Sequence, residues 1–346
     1  MNAPGTNIQE TALALVADGK GILAADESNG TMDKRLEPVL DDPPNEDARR
    51  AWRELLFTTE GAGTHISGAI LYDETIRQST ADGTLFPELL ARQGIIPGIK
   101  VDTGAKPLAG SPEEKVTEGL DGLRDRIVEY HELGARFAKW RAVIAIVDEL
   151  PSRNCIDVNA HALARYAALC QEGGLVPIVE PEVLTAGSHT LERSEEVTAL
   201  TLRSVFSALA DQGVALEAML LKPNMVLAGS DCPEQASVED VASRTLRCLG
   251  RVVPAAVPGI VFLSGGQSDE AATAHLRAMN QIGGQPWELS FSFGRALQAT
   301  SLATWRGQEA NAASAQAGYL QLAKSNGAAR AGRFSPDNER EPVAVS

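Results

Sequence analysis

The chain has 346 residues, a formal net charge of −15 at pH 7, and 44% hydrophobic and 22% charged residues. These proportions are ordinary for a globular protein, and the negative charge argues against nonspecific binding to nucleic acid or to an anionic membrane. No apolar run approaches the roughly 20 residues needed to cross a bilayer, and the first residues lack the pattern of a signal peptide. Together with four scattered cysteines, these features predict a cytoplasmic protein.

Short apolar runs typical of β-strands alternate along the chain with longer helical patterns. Eight such repeats with nearly continuous apolar strands indicate parallel strands buried on both faces. Eight is also the number that closes a barrel, so we expect one α/β domain, a TIM (β/α)8 barrel with an N-terminal helical extension, over residues 1–330. The predicted strands are 21–26, 68–72, 96–101, 136–143, 175–180, 218–222, 259–264 and 288–293, and the predicted helices include 120–133, 156–171, 191–210, 238–249 and 270–282.

Two segments contain residues that commonly begin helices. They are Ser-Val-Glu-Asp from Ser237, and Asp-Glu-Ser-Asn-Gly-Thr, in which Ser28 is the candidate cap. The chain after about Gly327 is rich in Gly, Ala, Arg, Pro and Glu, so we expect it to fray and residues 331–346 to form a flexible tail.

Nearly every predicted strand ends in a reactive or phosphate-binding group. In a barrel the active site forms at the carboxyl ends of the strands, so these groups should converge. Side chains two apart on a strand share a face, which pairs Lys139 with Arg141 and Glu180 with Glu182 and leaves Trp140 facing the helices. The groups are Asp26 and Ser28, Lys100 and Asp102, Lys139 and Arg141, Glu180 and Glu182, Lys222, then Ser264, Gly265 and Gly266, then Ser292, Gly294 and Arg295.

Lysine is scarce, since it accounts for eight of the 31 lysines and arginines, yet three lysines lie at strand ends. Lys222 follows Ala-Met-Leu-Leu and precedes Pro223, where a solvated charge is not expected. A desolvated lysine can lose its proton and attack a carbonyl, whereas an arginine cannot. The pattern therefore indicates a carbonyl-attacking amine, with Lys100 and Lys139 as nearby cations that tune it or hold an anionic substrate.

Each group also has a purely structural interpretation. The pair Glu180 and Glu182 could form an acidic turn, Ser28 could be only a helix cap, and the Ser-Gly-Gly run at 264–266 could be an ordinary turn. However, the loops after the seventh and eighth strands commonly bind phosphate in barrels, which favours 264–266 and 294–295 as a phosphate site. The histidines and cysteines show no metal-ligand spacing, so we expect no metal.

Seven motifs stand in collinear order within about residues 10–325. They are Gly-Lys-Gly-Ile-Leu-Ala-Ala-Asp-Glu-Ser (19–28), Gly-Ile-Lys-Val-Asp (98–102), Phe-Ala-Lys-Trp-Arg (137–141), Val-Pro-Ile-Val-Glu-Pro-Glu (176–182), Leu-Leu-Lys-Pro-Asn-Met (220–225), Phe-Leu-Ser-Gly-Gly-Gln-Ser (262–268) and Phe-Ser-Phe-Gly-Arg-Ala (291–296). Together they resemble class I fructose-bisphosphate aldolases. The resemblance implies a TIM barrel and reversible cleavage of fructose 1,6-bisphosphate to dihydroxyacetone phosphate and glyceraldehyde 3-phosphate through a lysine Schiff base. It also implies no cofactor and a homotetramer.

The resemblance assigns roles to individual residues. Lys222 matches the Schiff-base lysine, and Lys139 matches a neighbouring lysine whose charge would favour the neutral amine and stabilise the departing oxygen. Glu180 matches the general acid and base, and Asp26 the carboxylate that orients substrate hydroxyls. Glu182 would pair with the lysines and keep them aligned. The C1-phosphate site corresponds to Ser264, Gly265, Gly294 and Arg295, with Gly266 and Ser292 beside them, while Ser28, Thr31, Arg35, Lys100 and Arg141 lie where the family holds hydroxyls and the other phosphate.

The sequence also departs from the family and leaves alternatives open. Many members end in a tyrosine that assists proton exchange, but the last tyrosine here is Tyr319, so no catalytic role is expected for the tail. A transaldolase-like enzyme or a sugar-phosphate isomerase could use similar groups, and a non-catalytic binding protein could retain the barrel. The preferred ketose phosphate is left open too.

Overall fold

The structure, a computed structural model, describes residues 8–332. The strands are β1 (Gly21–Ala25), β2 (Ile66–Leu71), β3 (Ile96–Lys100), β4 (Gly104–Leu108), β5 (Ser111–Glu118), β6 (Phe137–Ile144), β7 (Val176–Val183), β8 (Leu220–Leu221), β9 (Gly259–Phe262) and β10 (Glu288–Phe293). Eight of them are parallel and close a barrel in the spatial order β1, β10, β9, β8, β7, β6, β3, β2. Closure occurs where β1 pairs on one side with β2 and on the other with β10, which confirms the predicted TIM barrel.

Helices surround the barrel, and five of those described follow a residue whose side chain accepts a hydrogen bond from the first turn: Asn45, Ser152, Thr190, Ser237 and Ser268. Ser237 is confirmed as a cap, because its side chain accepts a hydrogen bond from the Asp240 N–H. The helices are α1 (Ile8–Leu15), α2 (Asn29–Leu36), α3 (Glu46–Phe57), α4 (Asp73–Ile76), α5 (Phe86–Arg92), α6 (Leu123–Glu132), α7 (Arg153–Glu172), α8 (Leu191–Asp211), α9 (Val238–Val252), α10 (Asp269–Ile282), α11 (Arg295–Trp305) and α12 (Ala312–Arg330), with short 3₁₀ helices at Ala62–Thr64, Leu216–Ala218 and Glu309–Asn311.

Two apolar layers hold the barrel, one inside it and one between strands and helices. Trp140 faces the outer layer as predicted, with its ring centroid 5.6 Å from that of Tyr166 on α7. Inside, the ring of Phe137 fills the space beside Gly98, where a Cβ would lie 2.3 Å from the ring. Leu15 and Val16 pack into the same inner cluster from below. The N-terminal end of the barrel is therefore filled with apolar side chains, and the polar residues collect at the opposite end.

The structure differs from the sequence predictions in three places. The antiparallel hairpin of β4 and β5 was not predicted. The predicted strand 218–222 is a strand only at Leu220–Leu221. Helix α12 runs through Gly327 to Arg330, so the prediction that the chain frays after about Gly327 is wrong for residues 327–330. The buried Arg330 holds this end, donating to the carbonyls of Val16, Ala17 and Lys20 and pairing with Glu288 at 2.9 Å.

The predicted domain limits remain predictions. Most of the expected tail, residues 333–346, lies outside the described residues, and so do residues 1–7 of the expected 1–330 domain.

Candidate active site

A cleft of about 480 Å³ opens at the carboxyl ends of the barrel strands. Every residue that the sequence predicted for the site lines this cleft, from Asp26 after β1 to Arg295 after β10. The convergence follows from parallel pairing, which brings the carboxyl ends of all eight strands to one rim. The sequence positions are far apart, so only barrel closure makes them neighbours.

Lys139 lies at the centre of a buried charge cluster. Its Nζ is 2.6 Å from Asp26 Oδ2 and 3.1 Å from Glu180 Oε2. Burial disfavours the charged amine, but the carboxylates of Asp26 and Glu180 outweigh burial and raise the pKa of Lys139 above its usual range. Lys139 is therefore a fixed cation, too strongly paired to serve as a base.

Glu180 connects the two lysines. One oxygen faces Lys139, and the other, Oε1, is 3.1 Å from Lys222 Nζ. Burial raises the pKa of Glu180, but the charges of Lys139 and Lys222 lower it by a larger amount, so the net shift is downward. The pKa of Asp26 is lowered in the same way, against burial, by Lys139 and then Lys222. Both carboxylates are thus ionised at neutral pH and positioned to accept protons.

Lys222 is held at the end of the shortest barrel strand. Its backbone N–H donates to Val179 O at 2.8 Å, which continues the pairing with β7. Pro223 has no N–H, and its carbonyl accepts from Leu263 N at 3.1 Å. The Asn224 side chain then accepts from Val183 N at 3.0 Å. Backbone and side-chain bonds on both sides of Lys222 therefore fix its amine in the cleft, where the residue is only 3% exposed.

Glu182 does not pair with the lysines, and that prediction is wrong. Its Oε2 forms an ion pair with Arg141 Nε. Glu182 lies two residues beyond Glu180 on β7, so it is further up the barrel wall, at the level of Val143 on β6. That height brings it to the guanidinium of Arg141 rather than to the deeper amine of Lys139.

Asp102 was noted at a strand end but was not predicted as a site residue. Its Oδ1 is 2.8 Å from Lys100 Nζ and accepts from Gly104 N at 3.1 Å, while Oδ2 accepts from Arg141 N at 3.2 Å. One buried carboxylate therefore fixes a cleft lysine, the start of the hairpin and strand β6. Its location immediately after a strand was the available signal.

Glu27 is a second lining residue that sequence reasoning missed. It forms ion pairs with Arg35 and, at 2.6 Å, with the buried Arg53.

Ser28 begins α2 as predicted, but its side chain makes no cap hydrogen bond. Its Oγ instead lies 3.1 Å from Thr31 Oγ1, so both hydroxyls remain at the cleft.

The two glycine loops after β9 and β10 have the geometry of an anion site. Gly265 and Gly266 adopt φ of 55° and 87°, a conformation that favours glycine. Gly294 precedes α11, whose first residue is Arg295. In the described part of the chain, the buried Ser292 Oγ lines the cleft without a hydrogen-bond partner. Backbone N–H groups, a guanidinium and a hydroxyl thus face one corner.

Residues 8–332 contain neither a cluster of metal-binding side chains nor a helix that could span a membrane. No group of three or more His, Cys, Asp or Glu side chains in that range is arranged to hold a metal ion. Among the helices of the same range, none has the length and apolar character to cross a membrane.

Known proteins are similar to this chain in sequence and in fold. A family model described as fructose-bisphosphate aldolase class-I matches residues 7–345. A probable fructose-bisphosphate aldolase class 1 of Xylella fastidiosa is 59% identical over 328 residues, which cover 94% of this chain and 98% of that one. Fructose-bisphosphate aldolase 4, cytosolic, of Arabidopsis thaliana is 53% identical over 320 residues, 92% of this chain and 81% of that one.

A solved structure agrees with these relatives. Fructose-bisphosphate aldolase from Plasmodium falciparum, in complex with TRAP and a small-molecule inhibitor, superposes with a TM-score of 0.93 and 48% identity over 95% of each chain. The matched family model spans nearly the whole sequence and the superposed barrel nearly the whole structure, so the chain belongs to the class I fructose-bisphosphate aldolase family.

Proposed function

We propose that this cleft carries out the family's reaction with Lys222 as the attacking amine. Class I aldolases cleave fructose 1,6-bisphosphate reversibly to dihydroxyacetone phosphate and glyceraldehyde 3-phosphate through a lysine Schiff base, and as a member of the family this chain is such a lyase. The observation that supports the residue assignment is the carboxylate of Glu180, which lies 3.1 Å from the amines of both Lys222 and Lys139.

The first step forms the covalent intermediate. The neutral amine of Lys222 attacks the C2 carbonyl carbon, the nitrogen releases one proton, and the carbonyl oxygen takes a proton from solvent to give a carbinolamine. Loss of that oxygen as water leaves an iminium ion. Glu180 is 3.1 Å from the amine, within reach to take the proton that nitrogen releases and to return it to the departing hydroxyl.

The second step breaks the carbon–carbon bond. Glu180 takes the proton of the C4 hydroxyl, the C3–C4 bond cleaves, and its electron pair moves toward the iminium nitrogen to give an enamine. Glyceraldehyde 3-phosphate leaves first. Protonation of the enamine at C3 and hydrolysis then release dihydroxyacetone phosphate and restore the Lys222 amine.

Lys139 and Asp26 supply fixed charge for these steps. A permanently protonated Lys139 favours a neutral amine at Lys222 and stabilises negative charge that develops on the substrate oxygens. Asp26, 2.6 Å from Lys139, holds that cation in place and offers an acceptor to the substrate hydroxyls.

Phosphate binding at both ends of the cleft would position the bond that breaks. We assign the C1 phosphate to the glycine-loop corner and the other phosphate and the hydroxyls to the opposite wall. This assignment is supported by the free N–H groups of Gly265 and Gly266 at the first end and by cationic side chains at both ends. The first group is Ser264, Gly265, Gly266, Ser292, Gly294 and Arg295, and the second is Ser28, Thr31, Arg35, Lys100 and Arg141.

Borohydride trapping tests the assignment. Dihydroxyacetone phosphate plus borohydride should give a stable adduct on Lys222, identified by peptide mass, and Lys222→Met should give none. A sugar-phosphate isomerase would need no imine, so an active protein without an adduct would overturn the proposal. Turnover should persist in excess EDTA, whereas loss in EDTA with rescue by zinc would point to metal-dependent chemistry. A barrel that only binds partners would show neither turnover nor adduct.

We also propose a cytosolic homotetramer in which residues 1–330 fold as one domain. The location is supported by the Arabidopsis relative, which is named as a cytosolic aldolase, and the family resemblance supports the assembly. Sedimentation equilibrium of the full chain tests the tetramer, and fractionation of the source cells tests the location. Limited proteolysis tests the domain limit, which predicts cleavage confined to residues after 330.

A further inference from the structure

The loop residues Gly265 and Gly266 separate two cavities and line both of them. On one side is the cleft, and on the other is a second cavity of about 220 Å³. The second cavity lies between the loop and the start of α10, and its lining includes Thr185, Gln235 and His275. Because a cavity lies behind the loop, close packing cannot hold the loop in shape. Hydrogen bonds must do so.

Those hydrogen bonds come from two residues, Gln267 and Thr185. Gln267 donates twice to Ser264 O, from its backbone N at 3.0 Å and from its side-chain Nε2 at 2.8 Å. Thr185 Oγ1 donates to Gly265 O from behind the loop. Together they fix the carbonyls on both sides of the turn, in which two consecutive residues have positive φ.

His275 fixes the orientation of Gln267. The imidazole is 7% exposed, and its Nδ1 lies 2.6 Å from Gln267 Oε1. An amide oxygen only accepts hydrogen bonds, so Nδ1 must carry the proton. This contact keeps the oxygen of Gln267 toward the histidine and its NH₂ group toward Ser264 O. Without a donor at this place the half-buried amide would lose its contact with α10 and keep only Ser264 O and the weak acceptor Met225 Sδ.

The loop that results leaves its own donors free. Among residues 8–332, neither Gly265 N nor Gly266 N donates to a protein acceptor. The Arg295 guanidinium is close to the same turn, with Nη2 3.4 Å from the point where a Cβ of Gly266 would lie. The N–H groups can bind an anion beside Arg295 only while the turn keeps this shape.

We propose that His275 and Thr185 are positioning residues for the C1-phosphate loop, acting from the far side of the cavity. Neither touches the substrate. His275 acts through Gln267 on Ser264, and Thr185 acts on Gly265. The inference rests on the proposed function for the identity of the phosphate, but the geometry of the loop stands without it. The expected signature is weaker binding of the half of the substrate that carries the C1 phosphate.

The test measures the condensation reaction, in which the two substrates have separate KM values. His275→Leu should raise the KM of dihydroxyacetone phosphate about tenfold, equivalent to about 1.4 kcal/mol, and leave the KM of glyceraldehyde 3-phosphate within about twofold. Thr185→Val keeps the side-chain shape and should give the same asymmetry. His275→Asn should restore much of the loss, because its Nδ2 can donate where Nδ1 did.

Thr273→Val is the matched control. Thr273 is buried on the same helix, but its hydroxyl contacts Asp269 O and Asn326 Oδ1, away from the cavity. It should lower Tm without changing either KM. Equal rises of both KM values in His275→Leu, or no change in either, would overturn the inference. If that variant does not fold, an unchanged dihydroxyacetone phosphate KM in Thr185→Val would overturn it instead.

A calorimetric titration with inorganic phosphate separates this inference from the proposed function. It requires no turnover, and His275→Leu should weaken phosphate binding relative to Thr273→Val. Missing adduct in the wild-type protein would defeat the Schiff-base proposal alone. Equal phosphate affinity in the two variants would defeat the positioning role alone.

Discussion

The amine of Lys222 lies 3.1 Å from Oε1 of Glu180, while Oε2 of that carboxylate faces a second amine, that of Lys139, at the same distance. One carboxylate therefore contacts the amine proposed to form the imine and the cation that remains charged. A proton can move between Lys222 and Glu180 without reorganising the site, because Lys139 and Asp26 hold the glutamate in place from the other side.

Replacing Glu180 by glutamine should stop proton transfer and retain the shape of the side chain. We expect kcat to fall by about 10²–10⁴-fold, the usual contribution of a general acid or base, with slower borohydride trapping at Lys222. Rapid-quench trapping and steady-state rates measure both effects. Glu195→Gln is the control, since it removes a buried carboxylate paired with Arg247 on the outside of the barrel. Similar rate losses in the two variants would rule out a specific role for Glu180.

Replacing Lys139 by methionine should shift the pH dependence of the reaction. Burial raises the pKa of Glu180, and the cations Lys139 and Lys222 lower it, so loss of Lys139 moves this pKa upward. The acid limb of kcat against pH should therefore move to higher pH. An acid limb that does not move in Lys139→Met would contradict the electrostatic assignment.

The same variant should also be less stable. In the wild type, the lowered pKa values of Asp26 and Glu180 contribute stability above their ordinary values of 3.8 and 4.5, and this contribution is lost as pH falls through the folded pKa values. Without Lys139, two buried carboxylates lose their shared cation, and we expect a loss of about 3–5 kcal/mol at pH 7 in urea unfolding. A loss below about 1 kcal/mol, the size of a surface pair, would show that the cluster is more solvated than its burial indicates.

Glu182→Gln should separate binding from chemistry. Glu182 pairs with Arg141, so its loss should disturb the wall assigned to the second phosphate and raise the KM of fructose 1,6-bisphosphate several-fold. The KM of fructose 1-phosphate, which lacks that phosphate, should change little, as should the trapping rate at Lys222. Steady-state KM values for fructose 1,6-bisphosphate and fructose 1-phosphate, measured in Glu182→Gln and Arg141→Met, test this expectation. Slower trapping without a KM change would instead support the alignment of the lysines by Glu182.

The free energy of unfolding should decrease as the pH is lowered from 6.5 to 4, because His275 is buried. Burial lowers the pKa of this imidazole from 6.5 to about 4, against a small opposing effect of Glu239 on α9. Between these values the unfolded chain binds more protons than the folded one, so acid favours unfolding. The group accounts for about 3 kcal/mol over this range, and His275→Asn should remove that part of the slope. Parallel stability curves for wild type and His275→Asn in urea would contradict this.

Much of the barrel could be predicted because its signals are local. Apolar β-runs mark the eight parallel strands within a few residues, and the cap at Ser237 is a four-residue pattern. The β4–β5 hairpin was missed because its strand Ser111–Glu118 is largely charged and its turn lies on the surface, so no apolar run marks it. The end of α12 was missed because Arg330 is held by carbonyls more than 300 residues earlier in the chain.

In the site too, some features have local sequence signals and others depend on contacts between distant residues. The location of Lys139, Glu180 and Lys222 on or directly after predicted barrel strands placed them in one cleft. It could not give their partners, since the ion pairs of Glu182 and Glu27 depend on how far up the barrel wall each side chain lies. Sequence order carries strand alternation but not the register between strands.

By itself, the sequence determined the number of barrel strands, their parallel arrangement and the chemical groups toward their carboxyl ends, because hydrophobic period and residue type are local properties. Only the tertiary structure decided which carboxylate meets which cation, and that the glycine loop has a cavity behind it. Those features arise when the barrel closes and its register sets the height of each side chain, which brings residues from distant parts of the chain within hydrogen-bond distance.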